Sequence, residues 1–181
     1  MHGSIMLFLF LGPFAFGLGN YFVPLQVGAR DMAFPRLNAL SYWFYLFGGI
    51  TMLIGFLTAD GAASFGWTGY TPLSSITRSP GIGGDLWLMA IVLTGLSGVL
   101  TAVNIVATVV AMRVPRMRMF RLPIFTWNML VTSILVLIAF PTVTSAGVML
   151  FADRSLFARQ GLVEAFEDAV GEPVDGWRSR A

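Results

Sequence analysis

Four apolar runs, each longer than the roughly 20 residues that a helix needs to cross about 30 Å of hydrocarbon, decide what this chain can fold into. They lie at Ser4 to Gly28, Asn38 to Thr58, Asp85 to Met112 and Ile124 to Phe151. Inside a bilayer every backbone N–H and C=O must be satisfied within the protein, which leaves only helices or a closed barrel, and runs of this length are helical. The sequence therefore predicts an all-α membrane protein, a bundle of four transmembrane helices. Composition agrees: 56% of the 181 residues are hydrophobic and only 11% are charged, against about 25% charged in an ordinary soluble domain. Pro13, Pro24 and Pro141 fall inside the runs and are expected to kink them, which bundles tolerate when neighbours satisfy the freed backbone.

Charge orients the runs. All 11 basic residues are arginine and 9 acids nearly balance them, leaving a net charge of +2 and no nucleic-acid footprint. The loop 29–37 holds Arg30 and Arg36, the loop 113–123 holds Arg113, Arg116, Arg118 and Arg121, and the loop 59–84 holds only Arg78. The arginine-rich loops belong on the cytoplasmic side, so His2, the 59–84 loop and the segment from Ala152 are expected outside. Met1-His2-Gly3-Ser4 lacks the fixed positive charge of a cleavable leader, and the first run is expected to be retained. The absence of cysteine excludes disulfides, iron–sulfur clusters and thiol catalysis.

Two regions outside the runs have a character of their own. The 59–84 loop is rich in Gly, Ser, Thr and Pro, carries Phe65, Trp67 and Tyr70, and is long enough to cap something at the outer interface. From Asp153 the chain turns acidic, with Leu156, Val163, Phe166 and Val170 spaced as one face of a short helix and the last ten residues expected to be disordered. The expected division is a membrane portion over 1–154 and a divergent tail over 155–181.

Polar side chains on membrane spans are costly and face partners, water or a cofactor. Thr94, Ser97, Thr101, Asn104 and Thr108 follow offsets of 3, 4, 3 and 4, which places all five on one helical face. They either bond across helices as small packing residues do or form a water-bearing stripe. Asp31, between Arg30 and Arg36, is a solvated loop acid or the point of proton uptake at a channel mouth, with Asn20 and Asn38 on the adjoining spans able to hold water beside it. His2, the single histidine, either ligates a haem or metal or rests among the headgroups. Trp127, Asn128, Thr132 and Ser133 are assigned to interhelical bonding. No Walker loop, dinucleotide fingerprint, hydrolase elbow or zinc-protease motif is present.

Several ordered segments carry a resemblance. Met1-His2-Gly3, the run from Asn20 to Gly28, and Asp31-Met32-Ala33-Phe34-Pro35-Arg36-Leu37-Asn38 resemble subunit I of the haem-copper oxidases, the catalytic subunit of aa3-type cytochrome c oxidase. Phe65-Gly66-Trp67-Thr68, Gly84-Asp85-Leu86-Trp87, Ala102-Val103-Asn104 and Ile124-Phe125-Thr126-Trp127-Asn128 continue it in order, over residues 1–154. The resemblance implies that the four spans are helices II to V of that subunit, in a bacterial plasma membrane. It implies that His2 is an axial ligand of the low-spin haem a, and that Trp67 lies near the haem propionates. Asp31 would be the mouth of the D proton pathway, with Asn20, Asn38, Thr94, Ser97 and Asn104 along it. The implied partners are oxidase subunits II and III, the remainder of subunit I, membrane lipid and, indirectly, cytochrome c. Nucleic acid is not among them.

Departures from the family are also expected to matter. The family's first helix and the His-Pro-Glu-Val-Tyr segment have no counterpart here, and Arg30 stands where proline is usual. The copper B ligands, the haem a3 ligand, the second haem a ligand and the glutamate ending the D pathway would then belong only to a complete subunit. This chain is expected to be incomplete as an oxidase by itself. The competing expectation is a non-catalytic truncated membrane fragment, or one kept for assembly or interaction through its tail. A small four-span transporter is disfavoured, since no pair of broken helices suggests an inverted repeat.

Overall fold

A computed structural model describes residues 1–76, 78–115 and 117–170, with side chains described through residue 156. Among these residues there are four long helices and no strand. They are α1 (His2–Val27), α2 (Pro35–Leu57), α3 (Ile82–Ala111) and α4 (Ile124–Val170). All four expected spans are thus helices long and apolar enough to cross a membrane. The starts shift by a few residues: Pro35 opens α2 three residues before Asn38, because proline's fixed φ and missing N–H suit the first helical turn.

The helix that the other three pack against is α3. Half of its most apolar window is buried inside the bundle, against 6% for α1. Small residues let neighbours approach: a Cβ on Gly48 of α2 would come 2.9 Å from the Thr94 methyl and 3.2 Å from the Ala90 carbonyl of α3. Two apolar clusters fill the interior, one at each end. Val23, Val27, Met32, Ile105, Val109, Leu122, Met129 and Leu130 form one, and Met52, Ala63, Phe65, Trp87, Leu88, Ala90 and Ile91 the other. The outward faces of α1 and α4 stay apolar and uncovered, as at Phe14, Leu25, Ile138 and Met149, which a hydrocarbon surrounding stabilises.

The connections sort by end. Val114 N–H donates to the Val27 carbonyl, so the two arginine-bearing loops meet at one end of the bundle. The 59–84 loop packs at the opposite end, against Gly3 of α1 and Arg154 of α4.

Two helices depart from simple expectation. Between Ile5 and Leu11 the hydrogen bonds of α1 widen to five residues, with Gly12 N–H bonded to the Leu7 carbonyl. This wide turn immediately precedes Pro13, whose nitrogen has no hydrogen for the Leu9 carbonyl four residues earlier. The hydroxyl of Tyr45 on α2 supplies that carbonyl with a donor at 2.7 Å. The other departure is α4, which runs unbroken through residue 154 to Val170. Leu156 is exposed, the side chains of Val163, Phe166 and Val170 lie outside the described residues, and so do the last ten residues.

Candidate functional site

At the arginine-bearing end, the loop between α1 and α2 is fastened to α3 by the polar stripe. Asn104, fully buried, accepts at Oδ1 from the Phe34 N–H at 2.8 Å and donates from Nδ2 to the Phe34 carbonyl at 3.2 Å. Thr108 accepts from the Ala33 N–H at 2.9 Å while donating to the Asn104 carbonyl. These bonds hold Asp31, which is exposed and accepts from the Met32 N–H at 2.7 Å. The carboxylate is thereby set at a fixed mouth.

Behind Asp31 opens a cavity of about 600 Å³ between the helices. Its polar wall comprises Asp31, Asn20 of α1, Asn38 and Ser41 of α2, and Thr94, Ser97 and Thr101 of α3. Six residues singled out in the sequence thus converge on one space. Asn104 does not line it, because both ends of its amide are spent on Phe34.

The hydroxyls along this wall spend their hydrogens on backbone carbonyls. Ser97 donates to Ser41 at 2.6 Å, tying α3 to α2; Ser41 donates to Asn38, Thr94 to Ala90 and Thr101 to Ser97. Their lone pairs remain for other donors. The Oδ1 atoms of Asn20 and Asn38 are buried with no protein partner. Unsatisfied acceptors facing a space of this size are groups that water bonds.

Tyr45 also lines the cavity, and neither it nor Ser41 was singled out from sequence. Their signal was present, since Asn38, Ser41 and Tyr45 follow offsets of 3 and 4 and so share a face of α2. The expected role of Trp127, Asn128, Thr132 and Ser133 is taken elsewhere. Among the described residues it is Thr126 that bonds α4 to α1, donating to Gln26 at 2.5 Å. Trp127 donates to Met119 in the loop that leads into α4, and the Ser133 hydroxyl is buried without a partner.

At the opposite end, His2 opens α1 with its side chain exposed. The residues after it are fixed: a Cβ on Gly3 would come 3.2 Å from Trp67 Cδ1, and Ser4 accepts from Trp87 Nε1 at 2.9 Å. The backbone beneath the imidazole is therefore immobilised while the ring stays free to take a ligand. Trp67 belongs to the 59–84 loop, which roofs a second cavity of about 510 Å³ between α1, α3 and α4. Among the described residues no three His, Cys, Asp or Glu side chains gather as a metal site.

Arg154 organises that roof. It is 1% exposed, lies 2.6 Å from Asp85 through Nε, and donates to the carbonyls of Ser74, Ser79 and Gly81. In the sequence Arg154 marks the end of the expected membrane portion. A buried arginine needs partners for its whole fork, and apart from Asp85 these come from a loop no helical pattern describes.

The chain matches the family described as "Cytochrome C and Quinol oxidase polypeptide I" over residues 1–172. It is 60% identical over 158 residues to a putative cytochrome c oxidase subunit 1-beta of Streptomyces coelicolor, covering 87% of this chain and 28% of that protein. A probable subunit 1-beta of Nocardia farcinica is 58% identical over 156 residues, 86% of this chain and 26% of that protein. The cytochrome c oxidase subunit 1 of Corynebacterium efficiens is 50% identical over 156 residues, 86% of this chain and 27% of its own length. The chain spans little more than a quarter of the length of these relatives. With four membrane-length helices and a match over nearly its whole length, the chain is a multi-pass membrane protein that belongs to the cytochrome c and quinol oxidase polypeptide I family.

Proposed function

We propose that this chain forms part of a catalytic subunit that passes electrons from cytochrome c to oxygen and pumps protons in aerobic respiration, contributing one haem a ligand and the entry of the D proton pathway. The observation that carries this reading is the cavity behind Asp31. A carboxylate at its mouth, two asparagine oxygens without protein partners and a wall of hydroxyl lone pairs form the lining that a chain of waters requires. Asn104 acts on the passage from outside the cavity, by holding the loop that carries Asp31.

The haem reading rests on the outer end. His2 offers one exposed imidazole on a rigid backbone, and Trp67 packs on the adjoining Gly3. These residues fit one face of a haem, which when bound carries electrons through the subunit. With a single histidine, a second protein ligand to such a haem would come from another segment, as would the ligands of haem a3 and copper B. Subunits II and III and the remainder of subunit I are the partners this reading requires.

The test is Asp31→Asn in the assembled oxidase that carries this segment. Proton uptake from the cytoplasmic side is expected to slow about tenfold or more, in keeping with the ~10²–10⁴ that a positioned acid–base group contributes. The haem spectra should stay unchanged. Uptake at the parental rate overturns the proton-path reading and favours a non-catalytic segment.

A further inference from the structure

The first turn of α1 is fastened from two directions. Trp87 of α3, 5% exposed, donates from Nε1 to Ser4 Oγ at 2.9 Å, and Ser4 is fully buried. Trp67 packs on Gly3, where a Cβ would come 3.2 Å from its Cδ1. Successive residues of a helix point about 100° apart, so the two tryptophans meet this turn on different sides. His2, two residues before Ser4, points about 200° away from it, and its side chain is exposed.

Ser4 uses its hydroxyl differently from the threonines of the polar stripe. Thr94, Thr101 and Thr108 return their hydrogens to carbonyls four residues earlier in their own helix. Ser4 presents its oxygen to another helix. An indole N–H can only donate, and when buried it needs an acceptor. The bond therefore has one sense, and it sets how α1 is rotated about its own axis.

Trp87 is itself held. The Phe65 ring stands edge-on to it with centroids 5.1 Å apart, and a Cβ on Gly69 would come 3.4 Å from its Cη2. Asp85, two residues earlier on α3, is bound by Arg154. The indole is thus a fixed post against which the first turn of α1 is set.

We propose that Trp87 is a positioning residue for His2: by bonding Ser4 it fixes the rotation of α1, and with it the bearing of the imidazole toward a haem. The inference rests on the reading of His2 as a haem ligand. Groups that orient a metal-binding histidine ordinarily bond its ring. Here the ring is exposed, and its bearing is imposed through the backbone from two residues further on.

The experiment uses the assembled oxidase carrying this segment, with the electron paramagnetic resonance signal of the oxidised low-spin haem and the Tm as readouts. Trp87→Phe keeps an apolar ring without the N–H, and Ser4→Ala removes the acceptor. Each is expected to broaden the low-spin signal, because an imidazole with more than one bearing gives a spread of g-values. The double variant should broaden it no further than either alone, since both changes remove the same bond. Thr126→Val removes the bond to Gln26 near the other end of α1; it should lower the Tm and leave the signal sharp. Ser4→Ala, the smaller change, decides the matter if Trp87→Phe does not assemble. A signal of parental width in the assembled variants overturns the positioning role, as does equal broadening in Thr126→Val. His2→Ala separates the two readings. Loss of the signal there, with no broadening in the other variants, overturns the positioning role alone, whereas a low-spin signal that survives His2→Ala overturns the ligand reading beneath it.

Discussion

Arg154 Nε lies 2.6 Å from Asp85 Oδ1, joining α4 to the first turn of α3 at the outer end of the bundle. The rest of the guanidinium fork grips three carbonyls of the 59–84 loop. Gly84 is part of the arrangement, since a Cβ there would come 2.8 Å from Arg154 Nη2 and 3.1 Å from the Phe65 ring. The same loop lays Trp67 on Gly3, so the contact chain runs from Arg154 through the loop to the backbone that presents His2. One buried arginine thus does for a loop what a hydrophobic core does for a helix.

Replacing Arg154 with leucine strands the Asp85 carboxylate and three loop carbonyls. Asp85 is partly exposed and water recovers part of its loss, so the cost is carried mainly by the buried carbonyls, at about 1–3 kcal/mol for each group left unsatisfied. The Tm of the detergent-solubilised complex should fall, and the 59–84 loop should become open to protease. Asp85→Asn should be milder, because an amide oxygen still accepts from Nε.

Asn104→Leu should loosen the loop that carries Asp31. Two bonds to Phe34 are lost, and an unsatisfied buried backbone group costs about 1–3 kcal/mol. Hydrogen exchange across residues 29–37 should accelerate while exchange in the body of α3 stays slow. Unchanged exchange in that loop would place its anchorage elsewhere.

Tyr45→Phe removes the donor to the Leu9 carbonyl, at a cost of about 1–3 kcal/mol for a group left unsatisfied in the membrane. Exchange should quicken for amides around the wide turn of α1, with α3 unaffected. If α1 instead stays fully protected, Pro13 rather than Tyr45 governs the turn.

The four spans were legible because hydrocarbon thickness imposes a length, and no other signal competes with an unbroken apolar run. The stripe from Thr94 to Thr108 was legible because a helical period survives wherever one face differs chemically from the rest. What the period could not tell was how that face divides its labour. Thr94, Ser97 and Thr101 border the cavity, whereas Asn104 and Thr108 fasten a loop. That division depends on where α2 begins and on how the 29–37 loop folds back, which is tertiary information. Tyr45 was hidden among Tyr42, Trp43 and Phe44, an aromatic run that reads as membrane interface. The wide turn before Pro13 brings the Leu9 carbonyl to the Tyr45 hydroxyl of α2, a contact that no local propensity encodes. Arg154 was missed because a charge at the end of a span ordinarily points to water, and here a loop closes over it.

His2 carries the claim that ties this chain most closely to respiratory chemistry. The most direct measurement is the visible absorption spectrum of the assembled oxidase carrying His2→Ala, recorded reduced and oxidised. Loss of the low-spin haem a band with the high-spin signal retained is the predicted result. An unaltered haem a band would contradict the account.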